Sequence, residues 1–72
     1  MLDNLNDQLI SLCKSKGLSG EEIFIIGAMT NDEKTVNKFG EETALRMAIE
    51  IIKLCDTPDR IFYAVEKLFG IR

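Results

Sequence analysis

The sequence predicts an all-α domain, a compact bundle of about five short helices in one domain over residues 1–72, with a central helix near residues 42–55. Three observations carry this. Apolar residues recur at i, i+3, i+4 and i+7, the spacing of one helix face. Helix-start signals (Ser19 with Glu22, Thr30 with Glu33, Thr57 with Pro58) precede the later runs, and Gly17, Gly40 and Gly70 stand where runs end. No pair of strand-like runs is present to form a sheet.

In the first segment Leu5, Leu9, Leu12 and Cys13 follow i, i+4, i+7 and i+8, with Leu2 one turn earlier and polar Asp7, Gln8, Ser11 and Lys14 between. This predicts a helix over 3–16, stopped by Gly17 as a left-handed cap. Ser19 and Glu22 then have capping-box spacing, and Glu21 and Glu22 suit the helix dipole. Ile23–Met29 is apolar on every side, as a buried strand would also be. The preceding cap and the lack of a pairing strand favour a short helix.

Thr30 and Glu33 repeat the capping-box spacing and predict a third helix over 31–39, with Val36 and Phe39 facing inward and Gly40 ending it. The next segment carries two apolar stripes: Leu45, Ala48, Ile49, Ile52, Cys55 and Ala44, Met47, Ile51, Leu54. Only Thr43, Arg46, Glu50 and Lys53 make a polar strip, so this helix is expected to be packed on both flanks. Glu42 and Arg46 stand in the favourable i, i+4 order. Thr57-Pro58 predicts the last helix, 58–69, with Ile61, Phe62, Val65, Leu68 and Phe69 inward and Gly70 closing it.

The net charge is −3, and residues 21–42 hold six acids against Lys34 and Lys38. A face that neutralises phosphates is usually basic, so nucleic acid is not expected as a partner. A helix-turn-helix DNA-binding regulator is the alternative function, with residues 34–38 as recognition helix. Gly27 lies too far from that helix to be the usual turn, and Asp32 and Glu33 would meet phosphate. No apolar run is long enough to span a bilayer, and Met1–Asn4 lacks the basic start of a signal peptide. The expectation is a cytoplasmic protein without a membrane partner, with Cys13 and Cys55 as buried free thiols.

Chemistry is sparse. There is no His to serve as base or ligand, no Cys-x-x-Cys pair and no phosphate-cradling glycine loop. No catalytic residue, cofactor, metal or small-molecule substrate is expected, and the chain is read as a non-enzyme. It holds 33 apolar residues (46% of 72), more than a small core covers easily. Met1, Leu2, Leu18, Met29, Tyr63 and Ile71 are among the excess. The expected function is therefore that of a protein-interaction module or accessory regulator, whose partner is another protein or a second copy in a homodimer. Its candidate interaction surface is Phe24, Met29, Phe62, Tyr63, Phe69 and Ile71.

Gly17-Leu18-Ser19, Glu22, Phe24-Ile25 and Met29–Glu33 resemble a pattern in small helical proteins of unknown function from bacterial genomes, often within prophages and other mobile elements. The stretch covers about a third of the chain. The resemblance implies a small cytosolic accessory protein and transfers no catalytic or binding residue.

Overall fold

The expected all-helical architecture is present in the computed structural model, which describes residues 2–70. Five helices follow one another: α1 Leu2–Ser15, α2 Gly20–Thr30, α3 Glu33–Phe39, α4 Glu41–Lys53 and α5 Pro58–Phe69. No strand occurs among the described residues. The Cα radius of gyration is 10.8 Å, close to the roughly 11 Å of a compact chain this long.

The caps explain the boundaries. Gly17, at φ +90°, turns the chain out of α1. Its N–H donates to the Lys14 carbonyl and the Leu18 N–H to that of Cys13, a Schellman closure. In that motif the residue after the glycine packs back on the helix, and Leu18 is buried. Leu18 is thus a core residue, not the surplus surface residue expected from sequence. α2 starts on the anticipated box: Ser19 Oγ accepts from Glu22 N–H, and Glu22 Oε1 accepts from Ser19 N–H. The strand alternative for Ile23–Met29 is thereby resolved as helix.

α3 begins later than expected. Its cap is Asp32, whose carboxylate accepts from Lys34 N–H. Thr30 instead closes α2, donating its Oγ1 proton to the Ile26 carbonyl from a fully buried position. A threonine on the inner face of α2 is engaged before it can cap α3. Val36 and Phe39 are half-buried, and the residue α3 buries most deeply is Thr35, whose hydroxyl has no hydrogen-bond partner among the described residues. Gly40 alone joins α3 to α4, at φ +87° and ψ +154°, a region open almost only to glycine.

α4 is central: it packs against all four other helices, most extensively against α1. Its first stripe is buried as expected, with Ala48 and Ile52 fully enclosed. The second is covered only at Ala44. Met47 and Ile51 are half-buried, and Leu54 is 80% exposed. The expectation of two packed flanks holds only in part: Ile51 packs against the edge of the core, and Leu54 falls beyond α4, which ends at Lys53. Leu54 and Cys55 continue as tight turns back to Ile51 and Ile52, which turns Leu54 outward. Lys16 donates its ammonium to the Lys53 carbonyl, satisfying that helix end from the α1 turn. Thr57 caps α5 through Arg60 N–H, with Pro58 in the first turn, and Gly70 closes it in the left-handed conformation.

Around α4 the core joins Leu5, Leu9 and Cys13 of α1, Ile26 and Met29 of α2, and Ile61 and Val65 of α5. No helix is long and apolar enough to cross a membrane among the described residues.

Candidate functional site

The five expected surface residues that lie among the described residues do not form one patch. Phe24 projects from the outer face of α2, 77% exposed. Met29, five residues on and so across the helix, is buried beside Ile26 and Thr30. It belongs to the core, and its place in a surface is corrected. Phe62 and Phe69, seven residues apart on one face of α5, are half-buried and pack on the core. The Phe69 ring meets Phe39, centroids 6.1 Å apart at 57°, an attractive tilted geometry. Tyr63 is exposed, with Lys67 Nζ 5.7 Å from its ring centre. Ile71 and Met1 lie outside the described residues, as does the Leu2 side chain.

Two apolar grooves remain. The first, about 480 Å³, runs between α1 and α2. Leu9 and Ile10 form one wall; Ile23, Phe24, Gly27 and Ala28 form the other. Asn6, Gly20 and Asn31 complete the lining, so none of its nine residues carries charge. Ile25 extends the patch past Phe24 beside Glu21. Ile10, Phe24 and Ile25 are three of the large apolar side chains that are exposed.

Local sequence explains the patch. In α1, Ile10 lies about 100° round from Leu9, off the stripe that meets α4. In α2 every position from 23 to 26 is apolar, while only Ile26, Met29 and Thr30 are buried. A helix can bury one face, so Phe24 and Ile25 are left in water. Phe24 was anticipated from sequence. Ile10 was not, although its departure from the α1 stripe was the available signal.

The second groove, also about 480 Å³, lies between α4 and α5. Met47, Ile51, Leu54 and Leu68 line it, with Arg46, Glu50 and Lys53 at its rim. These charges are already paired within α4: Arg46 with Glu42 at 3.0 Å and Lys53 with Glu50 at 3.3 Å.

The thiols do not open onto either groove's lining. Cys13 is fully buried, and burial pushes its thiol above the ordinary value of 9.0. Cys55 donates its Sγ proton toward the Ile51 carbonyl at 3.3 Å. Among the described residues, no three His, Cys, Asp or Glu side chains gather as a metal site. The arrangement offers apolar contact area and little else in the way of chemistry. Compared with protein-family models, curated proteins and solved structures, the chain matches none.

Proposed function

We propose that this chain is a non-catalytic interaction module that binds protein through the apolar α1–α2 face. The observation that carries the reading is Phe24, an aromatic ring 77% exposed in mid-helix, which shares an uncharged groove with Ile10 and has Ile25 on its other side beside Glu21. Exposed apolar side chains scattered singly need no explanation, but a contiguous patch around an aromatic anchor is typical of a protein-binding surface. The cytoplasm is the proposed location, and the two unpaired, buried cysteines fit a reducing compartment. The DNA-binding reading gains no comparable support. α3 has only seven residues, and Lys38 lies over the Phe39 ring, 5.3 Å from its centre.

Photo-crosslinking tests the proposal. A photoreactive phenylalanine analogue replaces Phe24, and in a separate protein Lys34, in the cells that make the chain. A discrete protein adduct from position 24, absent from position 34, supports the reading. No adduct from position 24, or the same adducts from both positions, overturns it.

A further inference from the structure

Gly27 is unexplained by its own chain. Glycine is among the least favourable residues in a helix interior, and Gly27 lies mid-α2. Its φ is not positive, and beyond its own stretch of helix backbone a Cβ built on it would meet nothing within 4 Å. Neither backbone conformation nor intramolecular crowding therefore requires a glycine. Close approach by a group from another molecule is the remaining physical reason for one.

Its position says what that group is. Gly20, Phe24, Gly27, Ala28 and Asn31 fall at i, i+4, i+7, i+8 and i+11, and all line the α1–α2 groove. A protruding ring and a bare stretch of backbone thus lie one turn apart on the same helix face. A two-fold contact joins a patch to itself, so it needs both knob and hole on that one patch.

We propose that a second copy of this chain covers the face, its α2 lying antiparallel across the first about a two-fold axis between residues 25 and 26. This rests on the protein-binding reading above. In that register each Phe24 lies over Gly27 of the opposite copy, where a Cβ would intrude, and Gly20 lies opposite Asn31. Charge supports self-pairing over this face. The chain carries −3, yet the groove lining has no charged residue, so closure sets no like charges against each other within it. The α4–α5 groove would instead bring its Arg46, Glu50 and Lys53 rim into the contact. Antiparallel helices also set opposite dipole ends together. The contact is small: α2 is only about 16 Å long, a footprint below the roughly 800 Å² per partner of a standard interface. A contact of this size belongs with weak, transient associations, so the test spans tens to hundreds of micromolar.

Sedimentation velocity of the full chain from about 10 to 500 μM brackets that range. It is run on the wild type, Gly27→Ala, Gly27→Leu and Phe24→Glu, with circular dichroism and thermal melting in dilute solution. The wild type shifts from monomer to dimer across the series. Gly27→Ala melts a few degrees higher when dilute, because the helix gains propensity, yet dimerises several-fold more weakly. Gly27→Leu and Phe24→Glu stay helical, since Phe24 is exposed and the space around a Cβ at Gly27 is open, and weaken the dimer by about tenfold or more. A wild type that stays monomeric at the highest concentration overturns the proposal, as does a Gly27→Leu dimer as tight as wild type. If the wild type is monomeric while position 24 crosslinks a different protein, the second copy is excluded and the protein-binding reading stands. If neither association nor crosslink appears, both fall.

Discussion

Single residues decide where this chain departs from its own pattern. Burial accounts for Cys13: with its thiol in the core between α1 and α4, the charged form is disfavoured and its pKa lies above 9.0. The unfolded chain then releases that proton first as pH rises. Stability from this group is complete below about pH 9 and declines above it, until the folded thiol also ionises. Urea unfolding of wild type and Cys13→Ala checks this. The variant is expected to lose about 1 kcal/mol near neutrality from the vacated volume, with the difference narrowing above pH 9. A difference independent of pH contradicts the assignment. Several residue roles were legible: Gly17 announced a left-handed stop, and Ser19 with Glu22 announced a box. The burial of Leu18 followed from the same Gly17 motif but was masked by its loop position. Thr30 misled because a threonine at a helix end can cap forward or donate backward, and only its burial against the Ile26 carbonyl decides.

At the scale of elements, every expected helix exists, and the errors are at the ends. α2 was recoverable although it is apolar all round, because its cap is written ahead of it. The end of α4 was not, since Leu54 and Cys55 continue both stripes and no glycine or proline marks Lys53 as the last helical residue. That two-residue difference leaves Leu54 exposed beside the α4–α5 groove. The joint before α4 has no slack, because Gly40 is both the end of α3 and the start of α4. Gly40→Ala is expected to cost about 1–3 kcal/mol for backbone strain alone, its Cβ being otherwise unobstructed. Ile52→Asp is expected to unfold the domain by burying an unpaired charge at a fully enclosed site. Lys53→Ala, which removes an exposed i, i+3 pair, is expected to cost under about 0.5 kcal/mol. Chemical denaturation of the three variants ranks them. A Gly40→Ala protein as stable as wild type, or an Ile52→Asp protein as well folded as Lys53→Ala, contradicts the account of α4.

For the whole molecule, the question is what so much apolar sequence is for. The surface of 4763 Å² is close to the roughly 4500 Å² of an ordinary monomer of 8.1 kDa, so the fold is not splayed open. The surplus instead gathers where a helix is apolar on more than the face it buries, as on α2 and the second stripe of α4. That much was legible in the composition, and Phe24 and Tyr63 were legible as exposed aromatics. That Phe24 is exposed while Met29 is buried was not, because which face of α2 turns inward is settled by Ile26, Met29 and Thr30 together. The central claim is that the α1–α2 face meets a second copy of the chain. Amide chemical shifts, followed on dilution from about 500 to 10 μM, test it most directly across the weak affinity expected. The account predicts concentration-dependent shifts at Ile10, Phe24, Gly27 and Ala28 with Leu54 and Tyr63 unmoved, and shifts centred on Leu54 and Tyr63, or none on dilution, would contradict it.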